Sequence, residues 1–216
     1  MAPVPAAADR SRRRSPPAIL NGPSAVPAAL LLAALTAGAC GRGTPPGEPP
    51  RLFNVPDFTL VERSGRPATR AALRGQPWVA DFIFTRCAGT CPAMTARMAA
   101  LRARLAGTPV RFVSFSVDPG HDTPEVLARY AAAAGAGADW WFVTGPMRDL
   151  HALSTEGFKL AAMENAPGAE TADGPFLHSA KFVLVDGDGA IRGYYDSEDE
   201  AALRALEADA RRLAAR

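Results

Sequence analysis

Apolar residues beyond position 50 alternate between two rhythms. Residues 78–84 (WVADFIF) and 110–117 (VRFVSFSV) are short dense runs rich in branched and aromatic side chains, the composition of buried strands. Each is followed by apolar residues at helical spacing. Met94, Met98, Leu101 and Leu105 stand at i, i+4, i+7 and i+11, one stripe of a helix that opens near Pro92. That stripe assigns both methionines to core packing rather than to a metal. Thr123 followed by Pro124 reads as an N-cap with proline in the first turn, opening a helix to about Ala134. Residues 141–143 form a third short strand, and residues 147–155 a further helix.

Residues 181–185, the turn DGDG at 186–189, and residues 190–195 make a strand, a glycine turn and a second strand, a hairpin. A last helix starts at Ser197, whose hydroxyl is placed to cap it while Glu200 reaches back, the capping-box pattern. Strand-helix repeats that close on an antiparallel hairpin and a helix describe an α/β sandwich of the thioredoxin type. Residues 58–60 add an N-terminal strand or hairpin at its edge.

The first forty residues read as an address. Arg10, Arg12, Arg13 and Arg14 precede an apolar stretch at 25–39, the order of parts in an export signal or signal anchor. The stretch is short for a bilayer span of about 20 residues. It ends in small residues against Cys40, which resembles a lipoprotein cleavage site. Lipidation at Cys40, an uncleaved anchor and simple cleavage all place the rest of the chain outside the cytoplasm, in the periplasm or on the outer face of the cytoplasmic membrane. Residues 41–50 (GRGTPPGEPP) lack periodicity and form an extended linker, with the folded domain at 51–216.

Formal net charge is +2, but beyond Cys40 the chain carries 20 basic and 21 acidic residues. A nucleic-acid partner, which demands a clustered basic surface, is thereby excluded.

Of the three cysteines, Cys87 and Cys91 lie in the exported domain, between the strand at 78–84 and the helix near Pro92. Unsatisfied N–H groups and the helix dipole at such an N-terminus favour a thiolate. The pair therefore offers nucleophiles, a redox disulfide or metal ligands. A structural disulfide is the plain alternative in an exported protein, although one closing so small a loop restrains the unfolded chain little. Tight zinc sites usually take four protein ligands, and there is no second cysteine pair. Two thiolates suit Cu(I), and an added imidazole admits Cu(II).

Three histidines compete for that role. His151 sits within the helical pattern beside Leu150 and Leu153 and reads as an ordinary surface or half-buried residue. His121 lies in the loop after the second strand, at the cysteine end of the sheet. His178 follows a polar loop at 165–175 and directly precedes the strand at 181–185. In a thioredoxin-like sheet, residues entering that strand face the cysteine loop.

Three blocks, DFIFTRCAGTCP at 81–92, VSFSVDPGHDTP at 113–124 and HSAKFVLVD at 178–186, resemble the Sco/SenC family in order and content. The resemblance extends from about Phe53 to the end. It implies a thioredoxin-like fold and one copper, Cu(I) or Cu(II), held by Cys87, Cys91 and His178. It also implies a role in loading the copper A subunit of cytochrome c oxidase. Asp118 and Asp122 match the family's acidic loop residues. Two positions depart from it: Ala88 replaces a common proline, and His121 replaces a different polar residue, leaving room for altered copper affinity or an additional donor.

A metallochaperone is a binding and transfer protein rather than an enzyme. The first alternative is a thiol-disulfide reductase acting on an acceptor's cysteines, since one thiolate attacks a disulfide and its neighbour resolves the mixed species. The second is a peroxiredoxin-like peroxidase, suggested by Phe84-Thr85 before Cys87, a mechanism with no place for Cys91 and His178.

Overall fold

A computed structural model describes residues 47–160, 162–164 and 176–216; the polar loop at 165–175 and the address segment lie outside the described residues. Nine strands and four α-helices follow one another in the order β1(Thr59–Glu62), β2(Pro67–Thr69), β3(Trp78–Ile83), α1(Thr90–Arg104), β4(Arg111–Ser116), α2(Pro124–Ala133), β5(Trp140–Thr144), α3(Met147–Ala152), β6(Ala162–Glu164), β7(Phe176–His178), β8(Lys181–Val185), β9(Ile191–Asp196) and α4(Glu200–Ala214). Seven of the strands form one sheet in the order β2-β1-β5-β4-β3-β8-β9. This is the expected thioredoxin-type α/β sandwich, with the added β1-β2 hairpin at one edge.

The centre of the sheet is parallel. β3 pairs with β4 from Trp78↔Arg111 to Ile83↔Ser116, and β4 pairs in parallel with β5. Parallel strands need crossovers, and α1 and α2 supply them, so all three strands end at the same pole. Every residue of β3 is buried, which explains why its sequence shows no alternation. The alternation persists in what each face touches. Phe82 stacks on Phe115 at 5.3 Å and meets Phe158 edge-on at 5.3 Å, while Trp78 meets Phe158 at 5.9 Å. The opposite face carries Asp81, in register with Ser114 of β4, toward the α1 side. There Met94, Met98, Leu101 and Leu105 are buried as their stripe demands.

Three elements differ from the pattern. The helix expected over 147–155 is α-helical only to Ala152 and continues as a π-turn through Leu153–Gly157. Leu153, Ser154 and Gly157 are all buried there, so packing decides the local winding. β6 and β7 form a separate two-stranded sheet, with Ala162 opposite His178. Strands of three residues carry too little periodicity to be read from sequence. Finally, the cap of α4 is Asp199, whose carboxylate accepts from the Ala201 N–H at 2.7 Å. Ser197, the expected cap, is instead fully buried, and its hydroxyl has no hydrogen-bond partner.

The two capping assignments separate in a stability measurement. Asp199→Ala is expected to cost about 1 kcal/mol in chemical unfolding of the reduced, metal-free protein. Ser197→Ala removes only an unsatisfied hydroxyl and is expected to be neutral or stabilising. Equal losses from both substitutions would contradict the assignment.

Candidate metal centre

The cysteine loop begins where β3 runs out of partners. β3 ends at Ile83, the Cys87 N–H closes a turn onto the Phe84 carbonyl at 3.3 Å, and α1 starts at Thr90 with Gly89 as N-cap. Cys91 therefore occupies the first turn of α1, as its place before Pro92 suggested. Both cysteines are free thiols, with Cys87 at 6% and Cys91 at 0% exposure. Their side chains lie close enough to influence one another. The structure thus brings together the two thiols that the sequence paired.

Their electrostatics differ from the expectation for a helix N-terminus. Burial drives the Cys91 thiol far above its ordinary value, opposed by a backbone hydrogen bond at Phe84 and reinforced by Cys87 and by the Asp81 carboxylate. The dipole of α1 does not compensate for taking the sulfur out of water. A naked Cys91 thiolate is therefore strongly disfavoured, and a cation that binds there supplies the charge that water no longer can.

Asp81 is the residue that sequence reasoning passed over. It is fully buried in the middle of β3, and neither carboxylate oxygen has a hydrogen-bond partner. Ser114 stands beside it in register, accepts from the Trp140 Nε1–H at 3.0 Å and draws the Asp81 pKa down. Burial is the larger influence and pushes the carboxyl up to about 7. The signal was present in the sequence, a lone acid in an otherwise apolar strand. Tyr130 of α2, hydrogen-bonded to Thr95 of α1 at 2.8 Å, also feels the charges of Cys91 and Asp81.

A second loop, between β4 and α2, is laced to the cysteine loop. Asp122 accepts from Ser116 Oγ at 2.6 Å, from Thr85 Oγ1 at 2.5 Å and from the Thr85 N–H at 3.2 Å. Arg86 Nε donates to Asp118 Oδ2 at 2.5 Å. His121 is exposed, its Nδ1 lying 3.1 Å from Asp122 and 3.3 Å from Thr85 Oγ1. Donor atoms of Asp118, His121 and Asp122 fall within 4.8 Å of one another. Both carboxylates are already engaged, so the group braces the loop. Asp122 thus joins Ser116 on its own strand to Thr85 across the gap.

His178 ends β7, three residues before β8, with only its backbone described. β8 runs antiparallel to β3, its Val185 facing Trp78, so the chain enters β8 from the pole where the cysteines lie. His151 is exposed on α3. Cys40 lies outside the described residues, and among those described no helix is long and apolar enough to cross a membrane.

Residues 48–214 match the family model SCO1/SenC. A putative copper-binding protein of Stutzerimonas stutzeri is 31% identical over 149 residues, covering 67% of this chain and 70% of its own length. Among solved structures, a SCO1/SenC family lipoprotein from Bacillus anthracis str. Ames superposes with a TM-score of 0.69 at 31% identity, over 75% of this chain and 95% of that one. BsSco, a member of the Sco family of cytochrome c oxidase assembly proteins in which a disulfide switch has been identified, superposes with a TM-score of 0.67 at 30% identity. It is matched over 78% of this chain and 96% of its own.

The raised carboxyl of Asp81 has a measurable consequence for the reduced, metal-free protein. Its folded value of about 7 exceeds the ordinary 3.8. Between those values the folded state keeps a proton that the unfolded chain has released, so stability falls as pH rises through this window. The slope approaches roughly 1.4 kcal/mol per pH unit. Asp81→Asn should flatten that slope in unfolding titrations between pH 4 and 7. A parent and variant with parallel pH profiles would show that Asp81 ionises normally.

Proposed function

Because the chain belongs to the SCO1/SenC family, we propose that it is an exported copper carrier. In this reading Cys87, Cys91 and His178 hold one copper, and the protein helps to assemble the copper A centre of cytochrome c oxidase. The observation that carries the reading is the pair of thiols, neither in a disulfide, buried side by side at the start of α1. Copper is cargo here, and the donor set fits it. Soft sulfurs select Cu(I), binding displaces the thiol protons, and the incoming cation offsets the cost of buried negative charge. His178, arriving at the same pole on the strand before β8, supplies the imidazole that a two-coordinate thiolate pair lacks.

Relatives point the same way. The Stutzerimonas stutzeri relative is described by copper binding and BsSco by oxidase assembly. The lipoprotein relative from Bacillus anthracis supports lipidation at Cys40 and tethering to the outer face of the membrane.

The reductase alternative has one observation in its favour, since a dithiol stands ready and BsSco is associated with a disulfide switch. Against it, the Cys91 thiol is pushed up by burial, whereas exchange depends on thiolate character and access. Retention of copper and exchange of disulfides make different demands on His178, and that separates them.

Copper titration of the reduced protein should show one tight site. His178→Ala should weaken it by roughly 100-fold or more, a larger loss than the removal of an outer-shell partner causes. The same variant should reduce a model disulfide within about twofold of the parent rate. In cells lacking this protein it should fail to restore the oxidase copper A centre. Full rescue by His178→Ala, with no rescue by Cys87→Ser, would replace the carrier by a thiol exchanger.

A further inference from the structure

One buried acid near the thiols has no part in the ligand set. Side chains alternate along β3, and since Trp78 and Phe82 turn to Phe158, Asp81 turns to the opposite face, toward α1. It stands in the strand, ahead of the loop that carries Cys87 and Cys91. It is fully buried, and neither carboxylate oxygen has a hydrogen-bond partner.

The groups that face it are few. Ser114 of β4 lies in register with it, its charge reaches Cys91 in the first turn of α1, and Tyr130 of α2 senses Asp81 together with both cysteines. On the other flank of β3, β8 places Val183 opposite Ala80, and its Lys181 is paired with Asp196 at 2.7 Å. None of the groups that face Asp81 carries a positive charge. The carboxylates of the neighbouring loop are placed differently. Asp122 accepts from Ser116 and Thr85, and Asp118 from Arg86, so a proton added to either would displace a donor.

Loading changes the electrostatics above Asp81. Cu(I) binding to both sulfurs displaces their protons and leaves a copper dithiolate with one net negative charge where two thiols stood. A carboxylate left ionised beneath it would put a second negative charge into the same desolvated space. Holding one of the displaced protons removes that cost.

We propose that Asp81 is the internal proton store for copper loading: of the two protons displaced when Cu(I) binds Cys87 and Cys91, one is retained on the Asp81 carboxylate and the other goes to solvent. This deepens the carrier reading and rests on its two thiol ligands. Two S–H bonds break, two copper-sulfur bonds and one O–H bond form, one proton leaves and no electron is transferred. The buried cluster carries one negative charge before loading, on Asp81, and one afterwards, on the copper dithiolate. Discharge runs in reverse. As copper leaves, Asp81 gives its proton back to a sulfur, and the cluster avoids the naked dithiolate that its surroundings disfavour. The store works where Asp81 is ionised before copper arrives, above its folded value of about 7. Below that value Asp81 already holds a proton, and both thiol protons leave.

The test counts protons. The reduced full chain is titrated calorimetrically with Cu(I), delivered from a chelate that exchanges no protons, in buffers of different ionisation enthalpy. Two conditions are compared, about pH 8 and about pH 6, on either side of the Asp81 value. At the higher pH the parent should release about one proton per copper and Asp81→Asn about two. At the lower pH the two proteins should release equal numbers, because the parent's store is already full. Any proton lost from His178 is common to both and drops out of the difference. Infrared difference spectra follow the same event in the parent alone. At the higher pH, copper should raise the carbonyl band of a protonated carboxylic acid, and Asp81→Asn should lack it. Equal proton counts at the higher pH, or a parent spectrum in which no such band grows, overturns the store while leaving the copper site in place. Copper binding that survives at parental affinity in Cys91→Ser removes the carrier reading, and the store with it.

Discussion

The carboxylate of Asp122 holds together the two loops on which the site depends. β3 and β4 lie side by side in parallel and end at the same level, so the turns that leave them face each other where sheet hydrogen bonding has stopped. Polar groups there need new partners, and one buried carboxylate gathers a hydroxyl from its own strand and both a hydroxyl and an N–H from the opposite loop. Hydrogen bonds to a buried charge are the strong kind, about 1.5–3 kcal/mol each. The reach from Asp122 to Thr85 fixes the entrance to the cysteine loop, and Arg86 repeats the link one residue later on Asp118. The position of Cys87 therefore follows from packing outside the metal centre.

Within that frame the thiols are held in an environment hostile to their own charge. Cys91 is wholly buried, Asp81 is buried on the same side of the sheet, and the Asp81 carboxylate adds to the cost of ionising Cys91. In the interior the protons stay until a cation takes their place. A site built this way disfavours free thiolate chemistry. It also gives a physical reason for exposing the loop around the thiols while burying the sulfurs themselves.

Legibility in the sequence followed the range of the interactions involved. Local patterns carried far: the DGDG turn defined the β8-β9 hairpin, Thr123-Pro124 opened α2, and the Met94 to Leu105 stripe defined the buried face of α1. Where two local signals competed, burial decided. Ser197 and Asp199 both offer a capping oxygen, but Ser197 is drawn into the core by the hydrogen bond of its N–H to Ala180, leaving Asp199 to cap α4. The Cys87–Cys91 pair was legible from its place between strand and helix. The state of Cys91 was not, because its pKa depends on burial and on Asp81, which only the folded sheet brings near. Arg192 was the least legible of all, an ordinary arginine in a hairpin strand whose partners Glu48, Pro49 and Pro50 lie more than 140 positions earlier.

The thiols follow one end of β3, and the buried Arg192 of β9 lies beside the turn at its other end. The central claim concerns the chemical end, and X-ray absorption at the copper edge of the Cu(I)-loaded full chain tests it most directly. Copper held by the proposed ligands predicts a first shell of two sulfur scatterers and one imidazole nitrogen, with the nitrogen lost in His178→Ala and retained in His121→Ala and His151→Ala. A shell without sulfur, or one whose imidazole survives in His178→Ala, would contradict it.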